Sequence, residues 1–335
     1  MRHPLRASLV ALVASALLLT GCSGDETEPT ASVSESPSES PEATEEPAPP
    51  PVWPLTGLQR DGDAPDHAVL VTKVDNTSSS SPQVGLGSAE LVVEELVEGG
   101  MTRLAAFYYS TMPKNVGPVR SMRASDIGIV PEGSTVVTSG AAQVTLNRVN
   151  KAGIPWITEG DAGVYRESSR YAPYNLFARL DEIAKRTKAG DEPAPYLPWG
   201  TPEDLPKGIK ARTLSASFGG HVTNWQFQGG KYVNTNSYAA QGDEFLATSV
   251  LVLRVRVGDA GYRDPAGYPV PETKFEGKGP ALLFHKGRLV RGTWAKDGLN
   301  GEIQLSTKNG ELKVPAGRVW IELVPAANGN VTWAK

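Results

Sequence analysis

The sequence contains a single cysteine, Cys22, among 335 residues. Without a second thiol the protein cannot form an intramolecular disulfide, so its folded parts must be stabilised by packed cores. Histidine is scarce as well. Of the four histidines, one lies at position 3 and the others are isolated in the sequence, so no zinc-ligand spacing occurs and no metal is expected.

Several common catalytic and nucleotide-binding motifs are also missing. The chain has no GxxxxGK[ST] loop and no GxSxG elbow, and the glycines at 85 and 87 do not complete a dinucleotide fingerprint. We therefore expect no cofactor. Long Lys/Arg clusters are absent and the formal net charge is −4, which excludes a nucleic-acid-binding surface of the usual kind.

The N terminus has the features of an export signal. Arg2 and Arg6 precede an apolar run from Leu9 to Leu19, which is too short for a bilayer that needs about 20 residues. Leu-Thr-Gly then precedes Cys22, as in a bacterial lipobox. We predict a signal peptide over residues 1–21 and lipid attachment at Cys22, at the outer face of the cytoplasmic membrane. An ordinary signal peptide with an incidental cysteine is the alternative.

The segment that follows Cys22 is strongly acidic. Residues 23–51 contain eight acidic residues and no basic one, with serine, threonine and proline filling most of the remainder. Such a composition has little apolar surface to bury, which predicts a disordered tether over residues 22–51. The rest of the chain, with 31 basic and 29 acidic residues, is close to neutral, so any anion binding requires local placement of arginines.

Residues 52–190 alternate between strand and helix patterns. Strands are predicted over 67–76, 101–110 and 134–139, and helices over 121–130, 141–151 and 176–188. Residues 89–97 fit either a helix or a strand. The alternation indicates an α/β N-terminal domain.

The chain changes character after residue 190. Residues 191–207 are rich in proline and are predicted to be a linker. Residues 208–335 contain short strand patterns separated by turn pairs such as Asn309-Gly310. They predict a smaller, mainly antiparallel β C-terminal domain.

One stretch, from Glu94 to Arg123, holds three glutamates and three arginines around an apolar run. Arg120 and Arg123 are three residues apart at the start of a predicted helix, where they would share a face and bind a phosphate or carboxylate together with Arg103. Alternatively, the glutamates at 94, 95 and 98 neutralise the arginines in a structural ion-pair network. The same glutamates could form a glycosidase-like carboxylate pair.

Two further groups complete the candidate site. Asp75 and Asn76 end a predicted buried strand, where they could bind a ligand or simply form an Asx turn. Arg166, Arg170 and Asn175 lie in a polar loop, where they could bind a ligand or stabilise the loop itself. The candidate anion- or ligand-binding residues are therefore Asp75, Asn76, Glu98, Arg103, Arg120, Arg123, Arg166, Arg170 and Asn175.

Four segments in order resemble the YerB family of bacterial lipoproteins: KVDN (73–76), SAELVVEELVEGGMTRLAAFYYS (88–110), VGPVRSMR (116–123) and YAPYNLF (171–177). This chain has Tyr174 where family members typically carry histidine. The resemblance implies an N-terminal domain of unassigned function, a smaller C-terminal domain and a role in cell-wall metabolism. It names no catalytic residue.

Two functions remain open at this point. The first is a membrane-anchored binding or regulatory factor in peptidoglycan metabolism, whose partners would be cell-wall synthases or wall glycan. The second is an enzyme acting on a lipid-linked pyrophosphate glycan. It rests on a resemblance to the LytR-CpsA-Psr phosphotransferases in the order of an aspartate after a strand and later arginines. Because that likeness is one of order and residue type alone, we favour the binding protein.

Overall fold

The computed structural model describes residues 50–335. The predicted signal peptide, Cys22 and nearly all of the tether lie outside these residues, so the structure does not bear on them. Within residues 50–335, no helix is long and apolar enough to cross a membrane.

The first part of the described chain has seven strands and three short helices. The strands are β1 (Leu70–Asn76), β2 (Leu91–Leu96), β3 (Thr102–Tyr108), β4 (Thr135–Val137), β5 (Trp156–Ile157), β6 (Val164–Arg166) and β7 (Leu176–Ala178). The helices are α1 (Asp126–Ile129), α2 (Gln143–Lys151) and α3 (Leu180–Ala184).

The remainder consists of strands and turns. These strands are β8 (Trp199–Gly200), β9 (Ile209–Lys210), β10 (Thr213–Ser217), β11 (Val222–Gln228), β12 (Lys231–Asn234), β13 (Ser249–Arg263), β14 (Pro269–Lys274), β15 (Gly277–His285), β16 (Arg288–Lys296), β17 (Gln304–Thr307), β18 (Gly310–Glu311), β19 (Val314–Pro315), β20 (Val319–Pro325) and β21 (Asn330–Ala334).

Strands from both parts of the chain form one mixed sheet of 13 strands. Its main path runs β18-β17-β16-β15-β13-β20-β2-β3-β1-β4-β5, with β14 paired to β13 and β9 paired to β16. Strand β20 comes from near the C terminus and lies between β13 and β2, parallel to both. All seven of its residues are buried, so the C-terminal part of the chain supplies a central strand.

The large sheet is buried on both faces. On face A, Val71, Val93 and Ala105 join a core that continues through Leu251 and Ile321. On face B, the alternate positions of the same strands join a second core, against which a four-stranded sheet (β12-β11-β10-β21) packs. Because successive side chains of a strand point to opposite faces, neighbouring residues enter different cores.

The structure agrees only in part with the expected fold class of an α/β domain followed by a smaller β domain, because most of the described chain is strand and helices are few and short. The β-rich character of the C-terminal part is confirmed, but the large sheet crosses the expected boundary at 191–207. That segment itself carries β8, which pairs with β19, and the indole N–H of Trp199 donates to the Pro54 carbonyl. The division into two domains stays a prediction.

Two predicted helices are shorter than expected. Residues 176–178 form β7, which pairs with β6, and only 180–184 are helical, because strand pairing overrides the helical spacing of the apolar residues. Residues 118–120 bond to β1 instead of starting a helix: the Arg120 N–H donates to the Lys73 carbonyl at 2.9 Å. Helix α1 therefore begins only at Asp126.

A pair of buried glutamates lies at the junction of β2 and β20. Glu94 and Glu322 are direct partners in the parallel register and both point to face B. Thr223 and the Trp320 indole donate to Glu94, while the Trp225 indole donates to Glu322 at 2.7 Å. Burial, and then the neighbouring Glu94 carboxylate, raises the pKa of Glu322 well above its ordinary value, which favours the protonated form of Glu322 beside Glu94.

This pair predicts how stability depends on pH. Because the pKa of Glu322 is higher in the folded protein than in the unfolded chain, the free energy of unfolding falls as pH rises above about 4.5. Each pH unit in that window removes up to about 1.4 kcal/mol. Glu322→Gln, which keeps a neutral donor toward Glu94, should make this slope shallower, although Glu90 and Glu95, whose pKa values burial also raises, keep part of it, and the variant should match or exceed wild-type stability at pH 8.

The measurement is urea unfolding of both proteins from pH 4.5 to 8. Glu311→Gln, an exposed glutamate on β18, is the control and should retain the wild-type slope. Parallel pH profiles for wild type and Glu322→Gln would contradict a proton held between the two glutamates.

Candidate functional site

The ends of β1 and β2 carry charged side chains into the buried face A. Lys73 is fully buried, and its Nζ donates to Glu95 Oε1 at 2.8 Å and to Asp126 Oδ1 at 2.7 Å. Burial lowers the pKa of Lys73, but the two carboxylates outweigh it and raise the pKa overall. Lys73 is therefore a permanent cation that ties β1 to β2 and to α1.

Asp75 lies two residues further along β1, on the same face. Its Oδ1 accepts the backbone N–H of Thr77 at 3.0 Å and the Thr77 hydroxyl at 2.6 Å, which is the predicted Asx turn. Its Oδ2 accepts Nε–H of Arg120 at 2.9 Å. With both oxygens engaged and 1% of its surface exposed, Asp75 orients Arg120 and has no oxygen left for a substrate.

Arg120 is the most accessible of the three arginines, with 24% of its side chain exposed. Its guanidinium carbon lies 5.5 Å from the centroid of the Tyr174 ring. Within residues 50–335, neither terminal nitrogen of Arg120 has a hydrogen-bond acceptor. Asp75 and Tyr174 thus fix the group from two sides and leave its terminal N–H groups available.

Arg103 lies beside Arg120 but is only 3% exposed. Its Nη1 donates to the Ser121 carbonyl at 2.9 Å, and its buried Nε has no acceptor among the described residues. Burial, followed by the positive charge of Arg123, lowers the pKa of Arg103 to about 10. Arg103 is therefore still charged at neutral pH, without a carboxylate bonded to it.

Arg123 differs from Arg103, because each of its three guanidinium nitrogens has a hydrogen-bond acceptor. Nε donates to Glu98 Oε2 at 2.9 Å, Nη2 donates to Glu98 Oε1, and Nη1 donates to the Met122 carbonyl. Burial by itself would raise the pKa of Glu98, but the bidentate pair with Arg123 outweighs burial and lowers that pKa. The pair anchors the glycine turn after β2 to the segment before α1, which is a structural task.

Over the whole cluster the charges balance, but their pairing is uneven. The cations are Lys73, Arg103, Arg120 and Arg123, and the acids are Asp75, Glu95, Glu98 and Asp126. Lys73 takes two carboxylates, whereas Arg103 takes none. The positive charge without a bonded carboxylate therefore lies at Arg103, next to the partly exposed guanidinium of Arg120.

Asn76 does not belong to this cluster, since it follows Asp75 and points to face B. Its Nδ2 donates to Glu94 Oε1 at 3.1 Å and to the Thr102 hydroxyl at 2.9 Å, and its Oδ1 accepts from Gln83. His221 also reaches Glu94, with Nε2 at 3.3 Å from Oε1. Glu94 and Glu95 likewise lie on opposite faces, so they do not form the carboxylate pair of a glycosidase.

The candidate residues Arg166, Arg170 and Asn175 stabilise their own and a neighbouring loop and do not join the arginine cluster. Arg166 is exposed and bonds to both oxygens of Glu159 and to Oδ1 of Asn175. Arg170 donates to the carbonyls of Ser80 and Pro82, which fastens the loop after β1. Of this loop, only Tyr174 reaches the arginine cluster.

Sequence reasoning missed Lys73, Asp126 and Tyr174 as members of the cluster. Lys73 and the paired glutamates could have been found as charged residues inside otherwise apolar strand patterns, since a buried charge needs a partner. No group of three or more potential metal ligands occurs within residues 50–335.

The two arginines predict different effects on stability. Arg123→Met leaves the Glu98 carboxylate half-buried and unpaired, and should lower the free energy of unfolding by about 3 kcal/mol. Arg120→Met should cost about 1.5 kcal/mol, because Asp75 keeps both bonds from Thr77. Urea unfolding at pH 7 measures both losses. Equal losses, or a larger loss for Arg120→Met, would refute the assignment of Arg123 as the structural arginine.

Comparison with known proteins agrees with this architecture. The model for the N-terminal domain of the protein family of unknown function DUF3048 matches residues 55–192, and the model for its C-terminal domain matches residues 212–321. The chain is 26% identical over 299 residues to "Putative lipoprotein YerB" of Bacillus subtilis (strain 168), covering 81% of this chain and 86% of that protein.

A solved structure shares the fold. The crystal structure of the YerB protein from Bacillus subtilis matches with a TM-score of 0.71 at 22% identity, over 84% of this chain and 99% of that chain. The two family models together cover more than half of the chain, which therefore belongs to the DUF3048 family of proteins of unknown function.

Proposed function

We propose that this protein is a lipoprotein anchored through Cys22 at the outer face of the cytoplasmic membrane, where it binds an anionic group of a cell-wall component or a wall synthase. One observation carries the proposal. Arg120 is held at Nε by Asp75 and flanked by Tyr174, while its terminal nitrogens have no acceptor in residues 50–335. A partly exposed guanidinium fixed in this way suits a carboxylate or phosphate.

Arg103 supports the same role without touching the ligand. Its buried charge has no bonded carboxylate, and it adds positive potential beneath Arg120. An anion at Arg120 would therefore offset a charge that the protein leaves uncompensated. The resemblance to envelope lipoproteins supports the cell-wall setting.

The enzymatic alternative, transfer or hydrolysis on a lipid-linked pyrophosphate, has less support. Asp75 has the position that such an enzyme would give a catalytic or metal-binding carboxylate, but Thr77 and Arg120 occupy both its oxygens. Both oxygens of Glu98 likewise accept hydrogen bonds from Arg123. A general base needs a free oxygen within hydrogen-bonding reach of its substrate, so these contacts favour binding over catalysis.

Titration with inorganic pyrophosphate tests the anion site, with the full mature chain carrying Cys22→Ser and isothermal titration calorimetry as the measurement. Arg120→Met should weaken binding at least tenfold, because it removes the exposed guanidinium. Arg166→Met is the matched control. Arg166 is an exposed arginine already bonded to Glu159, and its loss should leave the affinity unchanged.

Absence of pyrophosphate binding, or equal affinity in all three proteins, would overturn the assignment of Arg120. The wall role has its own readout: the lipidated protein should retrieve wall synthases from solubilised membranes. A clean negative there, together with turnover of a lipid-linked glycan, would reverse the ranking in favour of the enzyme.

Anchoring is tested separately by Cys22→Ser in the full precursor. Lipidation supplies about 0.8 kcal/mol of membrane affinity per buried methylene, so wild type should sediment with membranes and the variant should be released. Cell fractionation followed by immunoblotting measures the distribution. A variant that stays with the membrane fraction would show that Cys22 is not the anchor.

A further inference from the structure

A hollow of about 490 Å³ lies between face B of the large sheet and strand β21 of the four-stranded sheet. Its walls include Arg254 on β13, Pro280 and Leu282 on β15, Arg291 on β16, and Val331 and Trp333 on β21. This is the far end of the sheet from β1, and the opposite face from the arginine cluster of the candidate site.

Arg254 lies where the apolar pattern of β13 stops. Val250 and Val252 are buried in the face B core, and Arg254 is the next residue on that face. Its Nη2 donates to the carbonyls of Pro325, Ala326 and Gly329, at 2.9 to 3.0 Å. In the described residues Nε and Nη1 have no acceptor, and burial lowers the pKa of this arginine.

Arg291 supplies a second cation across the hollow. It pairs with Leu282 in the register of β15 and β16, and its guanidinium carbon lies 5.0 Å from the Trp333 ring centroid. Within residues 50–335 it forms no salt bridge, and no acidic residue is among those that line the hollow. Two arginines therefore face a concave, partly apolar surface without a carboxylate to offset them.

We propose that this hollow is a binding site for a small ligand that carries a carboxylate or phosphate on a ring. Arg291 binds the anionic group, with Arg254 contributing Nη1 and positive potential. The ring packs on Trp333, Leu282 and Pro280. The volume lies within the range typical of small-molecule sites, about 300–1,000 Å³. This site is separate from Arg120 and does not depend on the function proposed there.

The test uses the full mature chain with Cys22→Ser and three defined probes. N-acetylmuramic acid carries a carboxylate on a sugar ring, glucose 1-phosphate carries a phosphate, and N-acetylglucosamine is uncharged. The readout is the indole N–H signal of Trp333 in ¹H–¹⁵N NMR titrations, assigned with Trp333→Phe. At least one anionic probe should shift this signal in a saturable way, and whichever binds more tightly identifies the anionic group.

Arg291→Gln should weaken that binding at least tenfold. The matched control is Arg288→Gln, an exposed arginine three residues earlier on β16 that bonds the Gly208 carbonyl and points to the other face. It should leave the affinity unchanged. The proposal is overturned if neither anionic probe shifts Trp333, if N-acetylglucosamine binds as tightly as they do, or if Arg291→Gln has no effect.

Discussion

Burial of the central strands on both faces is the constraint on which the rest of the structure depends. Strands β1, β2, β3 and β20 lie between two apolar cores, yet they carry Lys73, Glu94, Glu95, Arg103 and Glu322. In such surroundings a charge persists only with a partner, or else the group gives up its charge. Face A satisfies the constraint with ion pairs at Lys73 and Glu95 and with the Ser121 carbonyl at Arg103, and face B does so with a glutamate of raised pKa and indole donors.

The same alternation explains why polar residues that are adjacent in the sequence act separately. Asp75 and Asn76 are adjacent in sequence, as are Glu94 and Glu95, but each pair divides between the two faces. Asp75 and Glu95 belong to the arginine and lysine cluster. Asn76 and Glu94 belong to the junction with β20, where the C-terminal part of the chain completes the sheet.

Local patterns predicted β1, β3, β4 and helix α2 well, because each is a run of suitable residues bounded by clear turns. They could not predict that β20 inserts between β13 and β2, since nothing local encodes pairing across more than 200 residues. The sequence predicts a helix from residue 121, with Arg120 at its start, but the backbone of residues 118–120 bonds to β1 and the Met122 N–H donates to the Gly140 carbonyl. This difference separated Arg120 from Arg123, which a shared helix face would have placed side by side.

Of the three arginines of the candidate site, we propose Arg120 as the one that binds a ligand, while Arg123 and Arg103 are structural or supporting. Arg123 is locked to Glu98 and Arg103 is buried, so among these three arginines Arg120 is the one that presents unbonded terminal nitrogens at a partly exposed position. Arg170 and Arg166 stabilise the neighbouring loop through carbonyls and Glu159. The site therefore depends on a rigid shell of matched charges around a single accessible guanidinium, an arrangement suited to recognising an anion.

The most direct measurement follows the Nε–H signals of the arginines by ¹H–¹⁵N NMR while pyrophosphate is added to the mature chain. We expect the Arg120 signal to shift and saturate, the Arg103 signal to respond more weakly, and the Arg123 signal not to move. A spectrum in which Arg120 is unaffected, or in which Arg123 shifts as much as Arg120, would contradict anion binding at Arg120.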